Sequence, residues 1–290
     1  MDKKEFALKK HEEWNGKIEV GLRCEVDTMD KKELTIAFYQ QPIAWEDPAT
    51  NYSMVEEAFA DAVADIMVVP ETFTTGFSDK MADLAEEEEG ATLQFARAMA
   101  RKKEALFVGT WVVKEDADTY NRMHWVYPDG SYGFYDKAHT FRMSSEASQL
   151  ARGRKQALFD WRGWRIKPAV CYDLRFPAWL RNSNPLSYDL LLFCANWPGS
   201  RWEAWQTLLK ARAIENESYV VGVNRCGTDG LGIPYKGNSM AVDFRGIEMA
   251  ECRPEEAQVQ YATLHRDELE HFREKWSFYL DFDKIDLKKE

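Results

Sequence analysis

The stretch Lys167-Pro168-Ala169-Val170-Cys171-Tyr172-Asp173-Leu174-Arg175-Phe176-Pro177 decides how the chain is read. The mostly apolar run at residues 166–170 predicts a buried strand that ends in a cysteine. Residues 174–182 predict a short helix with Pro177 in its first turn, where proline is tolerated. A cysteine at a strand–helix junction sits on a sharp turn. Its thiol can project from the sheet edge, facing the backbone N–H groups of the turn that follows. Those N–H groups lower a thiol's pKa toward the reactive thiolate. A buried structural cysteine fits the same stretch, because free cysteine is among the most buried residue types.

Outward from this junction, strand and helix patterns alternate. Residues 156–161 and 165–170 predict a hairpin leading into Cys171. Buried strands are predicted at 34–40, 65–69, 105–113, 189–195 and 218–225, a hairpin at 120–127 and 132–136, and closing strands at 237–244 and 256–264. Helical spacing covers 51–63, 86–103, 202–216 and 267–279. The pattern is α/β, a mixed sheet with helices outside. No linker or repeat interrupts residues 34–280, so 33–290 reads as a single domain. Residues 1–32 read as an N-terminal appendage. They are highly charged, and Met29-Asp30-Lys31-Lys32-Glu33 restarts the pattern Met1-Asp2-Lys3-Lys4-Glu5, which makes Met29 a candidate start. The segment 7–20 resembles the leader of bacterial malic enzymes, and nothing later in the chain does.

Composition narrows the function. The chain has 290 residues, 45% of them hydrophobic, and a net charge of -11. That charge argues against a nucleic-acid partner, which needs clustered Lys and Arg. No run approaches the roughly 18 apolar residues of a membrane span, and the charged start is no secretory signal. The five cysteines form no C-x-x-C pair, and the five histidines show no ligand spacing. A disulfide framework and a metal site are therefore not expected, and a reducing cytoplasm is the expected compartment.

Glu71, Lys137 and Cys171 each follow the end of a predicted strand, and charged groups there tend to converge on one crevice. Singly, Glu71 could cap a helix and Lys137 could end a strand in solvent. Together they supply amide cleavage: a thiolate to attack the carbonyl, a cation for the oxyanion and a carboxylate to move protons.

Three ordered blocks, Pro70-Glu71-Thr72-Phe73, Tyr135-Asp136-Lys137-Ala138-His139-Thr140-Phe141 and Val170-Cys171-Tyr172-Asp173-Leu174-Arg175-Phe176-Pro177, resemble those of the nitrilase (carbon–nitrogen hydrolase) superfamily. The resemblance spans about residues 34–265. It implies a four-layer α-β-β-α sandwich with Cys171 as nucleophile, Glu71 as general base and acid, and Lys137 as oxyanion-side cation. It also implies a second oxyanion donor at the Tyr172 backbone N–H and a supporting glutamate, matched by Glu146. Residues 73–78, 195–198, 211–216 and 224–230 look most like the omega-amidase branch, which removes the terminal amide of 2-oxoglutaramate or 2-oxosuccinamate. Thr140 stands where that branch usually has Leu.

Such a substrate carries a carboxylate. Arg201, at a predicted helix N-terminus, and Arg175 are the candidate cations, with Arg175 expected instead to form a structural ion pair. Phe77 and Trp197 are candidate pocket walls. Other small aliphatic amides and N-carbamoyl amino acids remain as alternative substrates. No cofactor is implied. The resemblance, with the apolar segment 276–280, implies a homodimer.

Overall fold

The strand Glu33–Gln40 (β1) shows how the layers arise. Leu34, Ile36 and Phe38 enter one apolar core, while Ala37 and Tyr39 enter another. A strand buried on both faces needs a cover on each side. Ile66–Val68 (β2) repeats the split, with Ile66 and Val68 on one face and Met67 on the other. The fold is that of a computed structural model whose described residues are 30–183, 187–281 and 283, with the backbone of 19–20. The expected N-terminal appendage falls largely on residues 1–18 and 21–29, outside the described residues.

The first sheet continues through Leu106–Glu115 (β3), Asp118–Val126 (β4) and Tyr132–Asp136 (β5). The second holds Ala157–Trp161 (β6), Trp164–Val170 (β7), Leu190–Ala195 (β8), Tyr219–Asn224 (β9), Met240–Val242 (β10) and Glu248–Glu251 (β11). Gln258–His265 (β12) returns to the first sheet beside β1, so its order is β12-β1-β2-β3-β4-β5. The second sheet runs in sequence from β6 to β11, with Glu19–Val20 at its β6 edge. Within each sheet a parallel trio, β1-β2-β3 or β7-β8-β9, is flanked by antiparallel partners.

Helices Pro48–Ala58 (α1) and Ala91–Lys103 (α2) cover the first sheet through Val55, Leu93, Ala96, Met99 and Ala100. Trp202–Asn216 (α3) packs on the second through Trp205, Leu209 and Ala213. The inner faces meet directly. Trp125 stacks on Phe159 at 4.4 Å, and Trp161 Nε1 donates to the Asp65 carbonyl at 2.9 Å. The result is the expected α-β-β-α sandwich.

The helix expected at 51–63 runs over Pro48–Ala58, and the one expected at 267–279 over Arg266–Trp276. Three further local expectations change. The helix expected at 86–103 begins only at Ala91. Glu86–Glu87 pairs with β3 instead, and the Glu86 carboxylate accepts the Thr92 N–H at 2.9 Å, capping the helix from outside. Residues 174–182 form no continuous helix. A 3₁₀ turn, Cys171–Arg175, stops at Phe176, because the residue before a proline avoids helical geometry, and a short helix Pro177–Leu180 follows. The strand expected at 237–244 ends at Val242, because Asp243 Oδ1 accepts the N–H groups of Arg245 and Ile247 and turns the chain into β11.

Candidate active site

After β2 the chain enters a turn in which Thr72 has φ +41°, strained for a β-branched residue. Two polar contacts hold it there. Thr110 Oγ1 accepts the Thr72 N–H at 2.7 Å, and Asn196 Nδ2 donates to Thr72 Oγ1 at 2.8 Å. The turn drives the Glu71 carboxylate inward, where Oε2 accepts the Asn196 N–H at 2.7 Å. Asn196 follows β8, so this bond links the ends of the two sheets. Lys137, just past β5, donates to Glu71 Oε1 at 2.8 Å and to Glu146 Oε1 and Oε2 at 2.7 and 3.0 Å. Glu146 Oε2 also accepts the Phe141 N–H at 2.5 Å. All three side chains are almost completely buried.

Cys171 follows β7 with φ +41°, the second strained non-glycine residue at this site. Burial and then the Glu71 charge push its thiol well above the usual range, against the pull of Lys137 and the Asn196 N–H. This corrects the expectation of a lowered thiol pKa: desolvation of the thiolate outweighs the nearby dipoles. Burial alone would lower Lys137, but Glu146 and Glu71 outweigh it and hold the ammonium above the ordinary lysine value. Burial raises Glu146; Lys137 opposes this and the Glu71 charge adds to it.

Asp173 ties the Cys171 turn to the Lys137 loop. Its Oδ2 accepts the Val170 N–H at 3.0 Å and the Tyr135 hydroxyl at 2.9 Å. Its Oδ1 accepts the His139 N–H at 3.0 Å and lies 2.7 Å from His139 Nδ1. The Tyr135 hydroxyl in turn accepts Trp179 Nε1 and the Ala138 N–H, and His139 stacks flat on Phe176 at 3.6 Å. One buried carboxylate thus fixes both loops.

Comparison with known proteins gives the family. The carbon-nitrogen hydrolase family profile matches residues 35–274. The chain belongs to the carbon–nitrogen hydrolase family. It is 41% identical over 255 residues to the omega-amidase YafV of Yersinia enterocolitica, covering 87% of this chain and 98% of that one. It is 31% identical to a 2-oxoglutaramate amidase of Bacillus subtilis, covering 86% and 98% of the two chains. A solved CN-hydrolase superfamily protein of Xanthomonas campestris, with an arsenic adduct in its active site, is 39% identical. It superposes with a TM-score of 0.86, covering 89% of this chain and all of that one. This carbon–nitrogen hydrolase is an amidohydrolase of the nitrilase superfamily, similar to its omega-amidase branch.

Around Cys171 the hydrolase places a rim of rings and cations. Phe77 is half-buried, with its ring 5.4 Å from Lys137 Nζ. Tyr172 meets Phe141 edge-on at 5.1 Å. The Arg201 guanidinium, just ahead of α3, lies 5.6 Å from the Phe141 ring. Trp197 is buried, and its Nε1 donates to the Arg201 carbonyl at 2.8 Å. Arg175 departs from the structural ion pair expected of it. It is exposed and covers the Trp197 ring at 4.8 Å, while Arg212 holds the Cys171 turn by donating twice to the Leu174 carbonyl. Among the described residues, neither Arg175 nor Arg201 forms an ion pair, and no group of three or more His, Cys, Asp or Glu is placed to hold a metal. No described helix is long and apolar enough to cross a membrane.

The expected residues Glu71, Lys137, Glu146 and Cys171 therefore converge. Sequence reasoning missed Asn121, Asn196, His139 and Asp173 as parts of the site. The last two lie inside the quoted blocks, but only the fold pairs them.

Proposed function

We propose that the protein hydrolyses the terminal amide of a small 2-oxo acid amide, 2-oxoglutaramate or 2-oxosuccinamate, to the 2-oxo diacid and ammonia. The observation that carries this reading is the buried Lys137 ammonium bridging Glu71 and Glu146 beside Cys171. Glu71 removes the thiol proton as Sγ attacks the amide carbon. The oxyanion forms against Lys137 and the Tyr172 N–H, where each donor contributes about 2.7–4 kcal/mol. Glu71 then returns its proton to the amide nitrogen, which leaves as ammonia from a thioester. Water, deprotonated by Glu71, attacks the thioester and releases the acid and the thiol. Glu146 keeps Lys137 in place.

The named activities of the Yersinia and Bacillus relatives support the substrate class. So does the exposed rim, which carries Arg175 and Arg201 without carboxylate partners among the described residues, in a chain of net charge -11. Arg201 is assigned to the substrate carboxylate, with Arg175 beside it and Phe77 and Trp197 as pocket walls. A homodimer in the cytoplasm, formed by a single hydrolase domain, completes the reading. Exposed Trp276, Phe278 and Leu280 support the interface.

Ammonia release from 2-oxoglutaramate by the parent chain and by Cys171→Ala tests the proposal. Activity lost with Cys171 is the expected result. Activity that survives the substitution overturns the thiol mechanism. An inactive parent that cleaves other small amides or carbamoyl amino acids overturns the substrate.

A further inference from the structure

Two carboxylates share one ammonium in this site, which leaves an excess negative charge in a dry environment. Like charges in such a place repel, so the two carboxylates need donors between them. Glu71 can act on Cys171 only if it is held apart from Glu146 and aimed at the thiol. Lys137 and the Asn196 N–H supply part of that hold.

Asn121, on β4 and 1% exposed, stands at that point. Its Nδ2 donates to Glu71 Oε1 at 2.8 Å and to Glu146 Oε1 at 3.1 Å. The same two oxygens receive Lys137 Nζ at 2.8 and 2.7 Å. Two donors and two acceptors therefore alternate in a closed ring. The amide orientation follows from chemistry, since a flipped Asn121 would set its oxygen against two carboxylates. The chosen orientation leaves Asn121 Oδ1 buried without a hydrogen-bond partner among the described residues. An orphaned acceptor costs stability, so the two donated bonds have to matter more. The Asn121 carbonyl also accepts the Lys137 N–H at 2.9 Å, which locks the residue to the Lys137 backbone.

We propose that Asn121 is a positioning residue that holds the Glu71 carboxylate aligned for the thiol proton and separates it from Glu146. The inference rests on the reading of Glu71 as general base. Without the Asn121 donor the carboxylate is free to turn from the thiol, so proton transfer slows while substrate binding does not.

The test is Asn121→Leu, which deletes both donors and the orphaned acceptor and keeps the branch at Cγ. The amide used is whichever one the parent turns over. The expected result is a kcat at least ~10-fold lower with an unchanged KM. Alkylation of Cys171 by iodoacetamide, without any substrate, should slow likewise. Asn121→Ala carries the same expectation where the leucine variant does not fold. Alkylation at the parent's rate, or a raised KM with kcat retained, would make Asn121 merely structural and overturn the proposal, as would unchanged kinetics. Glu71→Gln tests the underlying reading separately: if that variant keeps its activity, Glu71 is not the base, whatever Asn121 does.

Discussion

Replacing Asp173 by asparagine changes one atom and strikes the clamp between the Cys171 turn and the Lys137 loop. The carboxylate is fully buried and takes four contacts, from the Val170 N–H, the Tyr135 hydroxyl, the His139 N–H and His139 Nδ1, at 2.7–3.0 Å. Asparagine keeps one acceptor oxygen and turns the other into a donor. If the oxygen stays with His139, the Val170 N–H faces an NH₂ group. Tyr135 cannot compensate, because its hydroxyl already accepts from Trp179 and Ala138. Two hydrogen bonds to a charged acceptor are lost, each contributing roughly 1.5–3 kcal/mol. The expected destabilisation is about 3–6 kcal/mol, or a melting temperature lower on the order of 10 °C. Urea unfolding at neutral pH measures it directly. A variant within about 1 kcal/mol of the parent would refute the reasoning, since two buried donors would then have found partners elsewhere.

Lys137→Met should remove detectable amide hydrolysis and cost roughly 3–5 kcal/mol, because it strands two buried carboxylates; the deficit should shrink at low pH, where they protonate, and melting curves across pH would show it. Arg201→Ala should raise KM for 2-oxoglutaramate about 10-fold, roughly 1.4 kcal/mol, with kcat retained and a neutral amide unaffected. Lys167 offers a prediction away from the chemistry: burial pulls this residue down to about 7 from 10.5, with Gln156 Oε1 as its acceptor. Between those values the unfolded chain holds the proton and the folded chain does not, so this group adds stability as pH rises and imposes its full penalty below about pH 7. Lys167→Leu should therefore stabilise the protein by up to about 4 kcal/mol at pH 6, with the gain fading toward pH 10; equal gains at both would refute the buried-lysine account.

Much of the fold could be read from periodicity. Apolar runs along 34–40 and 65–69 marked buried strands, and the apolar residues of 202–216 marked a helix with a packed side. Glu86–Glu87 was misread because an acidic cluster before a helix serves equally as its first turn or as an outside cap, and only pairing with β3 decides between them. The break at Phe176 was legible in principle from the Pro177 that follows, yet the apolar run on both sides hid it. Arg175 departed from its expected ion pair for a similar reason: the identity of an arginine's partner depends on which groups the fold brings near, not on its own neighbours in the chain.

By itself the sequence determined the residue types and the local turns. Glu71, Lys137 and Cys171 follow strand ends because apolar runs stop there, and that much is a property of the chain. Only the tertiary structure decided what those groups are. The thiol is pushed above its usual range because the packing of two sheets excludes water and sets Glu71 beside it. Lys137 is held above its ordinary value because Glu146, nine residues on, and Glu71, from another strand end, close on it. Asn121 and Asp173 gain their partners only when the fold sets β4 beside Glu71 and the Cys171 turn beside Tyr135 and His139. Charge state, burial and hydrogen-bond partners are set by neighbours in space, and a linear pattern carries no record of them until the chain has folded.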